Sequence, residues 1–193
     1  EFDWALKNGA VPGGRILANA GSHPHKNASL INCTVGPIMQ DSMVGILDTV
    51  KDVGITLAAG CGSGVDVTTL RPRGAMVSGA GAETSGPIPF LGIFSEMCST
   101  ITSAGSRRGA LHGVMGVWHP SVMEFIRAKN DGKTLQQFNL SVLVTDEFMD
   151  AVRDDAPWEL VFPATLAEAG DVDCVKIWWR SWPASSDEYT RLL

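Results

Sequence analysis

Short apolar runs rich in β-branched residues alternate along this chain with stretches whose apolar residues recur every three or four positions. The runs that favour strands span residues 29–35, 110–118, 138–145 and 158–162. Strands that alternate with helices are typical of β/α units, in which a helical crossover connects two parallel strands. The alternation therefore predicts an α/β fold built on a largely parallel sheet.

Two long helices are predicted between these runs. The first begins at Asp41 or Ser42 and ends before Gly54, which suits the position after a helix C-terminus; its apolar stripe is Met43, Ile46, Leu47, Val50 and Val53. The second begins at Pro89, and its apolar stripe is predicted to lie in the core: Phe90, Ile93, Phe94, Met97 and Ile101.

Shorter helices are predicted within 119–130 and after a cap at Thr145 or Asp146. The first residues look like the second half of a helix, and the last ones stop without a closing signal. We therefore expect residues 1–193 to form a single partial domain that is cut at both ends. The alternating pattern fades in 164–193, which we interpret as a candidate insertion.

Composition excludes several classes of protein. The chain has 193 residues, 45% of them hydrophobic and 19% charged, which suffices for one domain with a core. A net charge of −6 argues against general nucleic-acid binding, which needs a basic face. No apolar run reaches the roughly 20 residues that cross a bilayer. The four cysteines form no C-x-x-C pair, which favours the reducing cytoplasm.

The glycine-rich stretch LAAGCGSGV, residues 57–65, resembles the first motif of S-adenosylmethionine-dependent methyltransferases. In that motif a glycine turn follows a strand and precedes a helix. Here Ala58 and Ala59 replace the usual acidic residue, and Arg71-Pro72 interrupts the expected helix. A methyltransferase therefore remains only an alternative, because a glycine-rich loop alone is weak evidence.

Cysteine and histidine positions give no metal site. His23 and His25 lie near Cys33 in the sequence, but no second pair of ligands completes a tetrahedral set. Cys61 and Cys98 are interpreted as small buried residues. Cys33 follows the polar Asn32 inside a predicted strand, and its position alone favours a core thiol over a functional one.

The octapeptide SAGSRRGA, residues 103–110, places Arg107 and Arg108 between small residues. Two adjacent guanidinium groups suit a phosphate or a carboxylate, and the small residues let a ligand approach the backbone. A solvated turn with two surface arginines explains the octapeptide equally well. The stretch alone leaves both interpretations open.

Taken together, several stretches resemble the large catalytic chain of ribonucleotide reductases, and the adenosylcobalamin-dependent class most of all. They occur in the family's order over roughly residues 2–162: PGGRILANAG, SLINCTV, DSMVGILDTVKDVGITLAAGCGSGVDVTTLRPRGA, SGPIPF, MCSTITSAGSRRGALHGVMGVWHPSVMEFIRAKN and FNLSVLVTDEFMDAV. The resemblance implies a ten-stranded α/β barrel of two five-stranded parallel halves, of which this chain supplies mainly the first. It also implies reduction of ribonucleotides to deoxyribonucleotides by a cysteine thiyl radical, two thiols supplying the electrons.

The resemblance assigns roles at the substrate site. Cys33 falls on one of the two reducing cysteines, and Asn32, Gly62 and Gly14 fall on substrate contacts. Many relatives carry a hydroxyl side chain at the position of Gly14, so this chain departs from the family there.

The resemblance also implies an allosteric site for a deoxynucleotide effector. Asp41, Ser42 and Met43 match the start of the helix that binds the effector, and Arg71 matches an arginine that contacts its phosphates. SAGSRRGA matches the mobile loop that links the effector site to the substrate site, with Ser106, Arg107 and Arg108 in it.

The same resemblance implies the partners of the protein and shows where this chain departs from the family. It implies a ribonucleotide substrate, with a diphosphate as the better match, a thioredoxin-like or other dithiol reductant, adenosylcobalamin and a homodimer. The family's N-x-C-x-E motif with the radical cysteine is absent, so these 193 residues alone are expected to be inactive. Two other interpretations stay open: the oxygen-dependent two-subunit class, and a non-catalytic nucleotide-binding module that kept only the effector site.

Overall fold

The structure is a computed structural model that describes residues 1–21, 29–77, 79–101, 109–163 and 177–182. Its helices are α1 Phe2–Lys7, α2 Gly14–Asn19, α3 Met43–Ala58, α4 Pro87–Thr100, α5 Val122–Arg127 and α6 Asp146–Arg153. Its strands are β1 Cys33–Val35, β2 Gly62–Asp66, β3 Met76–Val77, β4 Ala82–Glu83, β5 Leu111–Gly116, β6 Phe138–Leu143, β7 Trp158–Pro163 and β8 Ile177–Trp182.

Four strands form a parallel sheet in the order β1-β2-β5-β6, which confirms the predicted parallel α/β fold. Helix α3 connects β1 to β2, and α4 lies between β2 and β5 in sequence. The pairs β3–β4 and β7–β8 are separate and antiparallel. The last predicted strand therefore forms as β7 but pairs outside the parallel sheet.

The two faces of the parallel sheet differ. One face packs against the helices, and its large side chains belong to the core: Val65, Leu111, Met115, Phe138 and Leu140. The opposite face, called here the open face, carries Cys33, Val35, Gly62, Gly64, Asp66, His112, Val114, Asn139, Ser141 and Leu143. Parallel sheets are normally covered on both faces. The open face is therefore where a ligand or another part of a protein is expected to lie.

Helix α3 begins as predicted but ends later. The Ser42 side chain accepts a hydrogen bond from the Gly45 amide at 3.0 Å and caps the helix. Gly54 was predicted to follow the helix, and this is wrong: α3 continues to Ala58, and Gly60 at φ +82° takes that position. Gly54 instead allows close packing on α4, because an added methyl group would lie 3.0 Å from the Met97 sulfur.

Helix α4 begins two residues earlier than predicted, with Pro87 rather than Pro89 as its first residue. This start changes which face is buried, since the buried residues are Pro87, Leu91, Phe94 and Cys98. Ile93, which was predicted to be in the core, is exposed. Of the predicted stripe, Phe94 is fully buried and the others pack only at the edge of the core or are exposed.

The glycine-rich stretch 57–65 is not the turn of a methyltransferase motif. It runs from the end of α3 through a turn into β2, so that a helix precedes the glycines and a strand follows them. The methyltransferase motif requires the reverse order. Strand β1 is shorter than the predicted 29–35, because the Ser29 hydroxyl accepts from the Ile31 amide and closes a local turn before the strand.

His119 connects the segment before α5 to the end of the β2 region. Its ring is fully buried, Nε2 donates to the Leu70 carbonyl at 2.8 Å, and the Ser121 amide donates to Nδ1 at 3.0 Å. Burial lowers the pKa of His119 below 6.5, against smaller opposing effects of the Leu70 carbonyl and of Asp66 and Asp41. A neutral ring that both donates and accepts thus fixes the chain beside Arg71.

The C-terminal stretch 164–193, in which the alternating pattern is predicted to fade, contributes one described strand. β8 lies within it and pairs along its whole length with β7.

Thr145 caps α6 as predicted, its hydroxyl accepting from the Phe148 amide at 3.3 Å. In the described part of the chain, no helix combines the length and the apolar character needed to cross a membrane.

Candidate functional site

Asn32, Cys33 and Gly62 lie together at the amino-terminal edge of β1 and β2. Cys33 and Gly62 are partners in the parallel ladder, and the Gly62 amide donates to the Asn32 carbonyl at 3.0 Å. These are three of the four residues predicted at the substrate site. Parallel pairing thus brings together residues that are about thirty positions apart in the sequence.

Gly62 has no room for a larger side chain without contact to its neighbours. An added methyl group would lie 3.3 Å from the Ala110 carbonyl, 3.6 Å from the Asn32 carbonyl and 3.8 Å from Cys33 Sγ. Glycine therefore keeps the surface beside the Cys33 thiol low. A flat molecule can lie against the backbone at this position.

Cys33 is exposed, so the interpretation of its position as a core site is wrong. The physical reason is that β1 is the edge strand and that Cys33 points to the open face. An exposed thiol is available to donate electrons and to form a disulfide with another cysteine. Cys61 and Cys98 are buried free thiols, which confirms their prediction as small buried residues.

Cys61 lies directly beside this site but differs from Cys33 in its environment. Burial raises the pKa of the Cys61 thiol; the nearby Cys33 raises it further, and the positive charge of Arg15 lowers it. Nε of Arg15 is buried and has no hydrogen-bond partner in the part of the chain that the structure describes. A guanidinium group thus lies near the Cys61 thiol with an N–H that no described protein group accepts.

Gly14 is the first residue of α2 and is exposed. An added methyl group there would have no neighbour within 4 Å among the described residues, so the structure does not bring Gly14 against Cys33. Helix α2 is attached to the region before β1 through Asn19, whose Nδ2 donates to the Ser29 carbonyl at 2.9 Å.

Asp41 and Arg71, predicted at the effector site, form an ion pair. Arg71 Nε donates to Asp41 Oδ2 at 2.8 Å, and the Arg71 amide donates to Oδ1 at 3.2 Å. The Arg71 side chain is only 11% exposed and the Asp41 side chain 14%, which favours a well-ordered pair over a solvated one. Arg71 Nη1 also donates to the Met76 carbonyl at 2.7 Å, so several protein groups fix the guanidinium.

This ion pair lies at the N-terminus of α3. Ser42 is the N-cap of α3, and Met43 is its first residue and is more than half exposed. The N-terminus of a helix of 16 residues favours anions because its first amides lack partners and its dipole is positive there. The four predicted effector residues are thus neighbours at one end of a long helix.

Ser106, Arg107 and Arg108 of the predicted linking loop lie outside the described residues, as do His23 and His25. Among the residues that the structure describes, no group of three or more His, Cys, Asp or Glu side chains is arranged to hold a metal ion.

The sequence interpretation missed His112, which lies on the open face two strands from Cys33. Its Nε2 is 2.9 Å from the Ser141 hydroxyl of the adjacent strand. A signal was present in the strand itself: Leu111, Gly113 and Met115 alternate with His112, so the polar residue had to point away from the core.

Comparisons with known proteins give one consistent result. Residues 31–191 match the family model described as ribonucleotide reductase, barrel domain, a range that includes most of 164–193. The chain is 36% identical over 169 residues to a vitamin B12-dependent ribonucleoside-diphosphate reductase of Thermoplasma acidophilum, covering 87% of this chain and 22% of that protein. The protein of the same name from Mycobacterium tuberculosis is 36% identical over 156 residues, which cover 80% of this chain and 22% of the relative.

Among solved structures, the chain resembles the alpha subunit of a class Id ribonucleotide reductase from Actinobacillus ureae. The TM-score is 0.61 at 21% sequence identity, and the match covers 74% of this chain and 25% of that subunit. This likeness supports the fold, of which the described residues form an unclosed part with four parallel strands. The chain spans 22% of the length of its B12-dependent relatives. With most of its residues inside the family match, this chain belongs to the ribonucleotide reductase barrel-domain family.

Proposed function

We propose that this chain is part of a vitamin B12-dependent ribonucleotide reductase that reduces ribonucleoside diphosphates. The observation that carries the proposal is the exposed Cys33 thiol beside Gly62 and Asn32 on the open face of the parallel sheet. The relatives named vitamin B12-dependent ribonucleoside-diphosphate reductase support both the cofactor class and the diphosphate. The described cysteines are free thiols, which is consistent with a reducing cytoplasm.

In the proposed reaction Cys33 is one of two thiols that reduce the ribose. The 2′-hydroxyl leaves as water, and the two thiols together lose two electrons and two protons and form a disulfide. A dithiol reductant, for which a thioredoxin-like protein is the expected partner, then restores both thiols. The exposure of Cys33 supports this role because the sulfur must meet first the ribose and then another sulfur.

Arg15 supports an anionic substrate at this site. Its guanidinium carries a buried N–H without a described acceptor and lies close enough to the Cys61 thiol, next to Gly62, to lower the pKa of that thiol. A nucleotide phosphate is a strong acceptor for such a group. Gly14, the residue before it, has no side chain to offer.

The cluster at the start of α3 is proposed to bind the deoxynucleotide effector. Helix amides and the Arg71 guanidinium suit phosphates, and the Asp41 carboxylate suits a sugar hydroxyl. The proposal includes control of substrate choice through the loop with Ser106, Arg107 and Arg108.

A homodimer is proposed with α3 at its interface. Val44, Leu47 and Ile55 lie on one face of this helix and are 71%, 50% and 65% exposed. An apolar stripe on a 16-residue helix is expected to be covered in the assembled protein.

The described residues alone do not fit adenosylcobalamin. A cavity of about 490 Å³ among the described residues is lined by residues such as Arg73, Met123 and Glu124, none of which lies on the open face with Cys33. We therefore assign no residue of this segment to the cofactor and derive no step through it.

The test is an assay of the complete protein that contains this segment. Purified protein is incubated with a ribonucleoside diphosphate and a dithiol, with and without adenosylcobalamin. Deoxyribonucleotide is expected only when the cofactor is present. Product without cobalamin that requires a second subunit and oxygen would favour the oxygen-dependent class. Effector binding without any turnover would favour a non-catalytic nucleotide-binding module.

Arg107→Ala and Arg108→Ala are expected to change which base is reduced with which effector. A lost charge-assisted contact costs about 1.5–3 kcal/mol, as much as the roughly 1–3 kcal/mol typical of allosteric coupling. Truncation of a surface arginine changes stability by only about 0.5 kcal/mol. The measurement is reduction of four substrates with each effector, beside thermal melts.

Arg153→Ala is the matched control, since Arg153 is a surface arginine that pairs only with Asp150 among described groups. It is expected to leave the pattern of substrates and effectors unchanged. The same unchanged pattern in both loop variants would identify SAGSRRGA as a solvated turn.

A further inference from the structure

On the open face, Gly62 and Gly64 of β2 leave a strip of backbone without side chains between Cys33 and His112, called here the glycine floor. Cys33 pairs with Gly62 and His112 pairs with Gly64, and the two glycines are two residues apart on β2. Cys33 Sγ lies 3.8 Å from the position of a methyl group on Gly62, and His112 Cβ lies 3.7 Å from that of a methyl group on Gly64. Both side chains therefore rise beside the same strip of bare backbone.

The dimensions of this floor follow from strand geometry. Adjacent strands lie about 4.8 Å apart, so the backbones of β1 and β5 are separated by about 10 Å across β2. Gly62 and Gly64 are offset by roughly 6.7 Å along the strand. A ribose placed beside Cys33 over Gly62 would therefore have one of its substituents over Gly64, next to His112.

The His112 ring is hydrogen-bonded to Ser141 through Nε2, and its other nitrogen, Nδ1, is available to bind a ligand. The contact between Nε2 and the Ser141 hydroxyl at 2.9 Å fixes the orientation of the ring. In the part of the chain that the structure describes, no group forms a hydrogen bond with Nδ1. When the Ser141 hydroxyl donates to Nε2, the ring carries its hydrogen on Nδ1 and becomes a donor.

We infer that the His112 ring, oriented by Ser141, hydrogen-bonds an oxygen of the ribonucleotide that lies over Gly62 and Gly64. His112 is then a substrate-binding residue at the end of the floor opposite Cys33. The inference rests on the proposed function for the nature of the ligand. The oxygen belongs either to the base or to a phosphate, and both offer the same acceptor chemistry.

The test compares His112→Ala and Ser141→Ala with wild type in the complete reductase. His112→Ala is expected to raise KM for ribonucleoside diphosphates by roughly 3- to 10-fold, the effect of one neutral hydrogen bond, with a smaller change in kcat. Ser141→Ala is expected to raise KM less, because the ring remains but loses its orientation. Four bases and the corresponding monophosphates distinguish the acceptor: an increase that depends on the base indicates a base oxygen, and one confined to diphosphates indicates a phosphate.

Two readouts separate a binding role from damage to the fold. Affinity for the deoxynucleotide effector is expected to stay at the wild-type value in both variants. Val114→Thr, a change of similar volume on the same strand and face, is expected to leave KM unchanged. An unchanged KM in His112→Ala, with wild type active, would overturn the inference and leave the proposed function standing. An inactive wild type would instead contradict the proposed function.

Discussion

Cys33→Ser in the complete protein is expected to abolish repeated turnover while nucleotide binding stays nearly normal. Serine has almost the volume of cysteine but cannot form the disulfide, so it cannot supply electrons to the ribose. Because Cys33 is exposed at the start of an edge strand, the change removes no core packing. We expect a loss of at least about a thousandfold in kcat, as for removal of other essential catalytic groups. The measurement is the number of deoxyribonucleotides formed per protein with excess dithiol.

Cys98→Ala is the matched control for this prediction. Cys98 is also a free thiol, but it lies on the buried face of α4, and burial raises its pKa. It is therefore expected to stay protonated and inert, and its variant should retain turnover. Normal repeated turnover by Cys33→Ser would mean that Cys33 takes no part in reduction.

Local signals predicted local structure well. The caps at Ser42 and Thr145 form as expected, since a hydroxyl three residues before an unpaired amide needs no distant partner. The predicted end of the helix before Gly54 was wrong because a glycine can either follow the C-terminus of a helix or let two helices pack closely. The Met97 side chain, 43 residues further along, decides for the second use, and no local pattern reveals that contact.

For the site as well, the sequence predicted individual residues but not the contacts between residues that are distant in the chain. The family motifs identified Asp41 and Arg71 as effector-site residues. They did not predict the ion pair between the two side chains, which forms because the chain folds back over the 30 positions that separate them. The His112–Ser141 contact likewise spans 29 residues and depends on the register of β5 and β6. A register shift by one residue would turn either side chain to the opposite face, so the pair is a property of the assembled sheet.

Gly86→Ala is expected to destabilise the fold more than other single methyl additions at α4. Gly86 is the N-cap of α4 at φ +85° and ψ 179°, a conformation that is essentially restricted to glycine and costs another residue about 1–3 kcal/mol. The added methyl group would also lie 2.9 Å from Arg73 N and 3.0 Å from Arg73 Cα. That backbone has little freedom, because the Arg73 side chain pairs with Glu124 and its amide donates to Ser121 Oγ. With about 1–3 kcal/mol for overpacking, we expect a total loss of about 2–6 kcal/mol.

Gly92→Ala in the same helix provides the comparison. Gly92 lies within α4, and apart from the nearby backbone of the helix itself, an added methyl group there meets no described atom within 4 Å. Alanine favours helices over glycine by about 0.5–1 kcal/mol, so this variant is expected to be slightly more stable than wild type. Urea unfolding of the two variants and wild type under one set of conditions measures the difference. Equal urea midpoints of unfolding for Gly86→Ala and Gly92→Ala would contradict this prediction. They would show that the backbone at Arg73 moves aside at little cost, so that the close approach of Gly86 to Arg73 does not fix the start of α4.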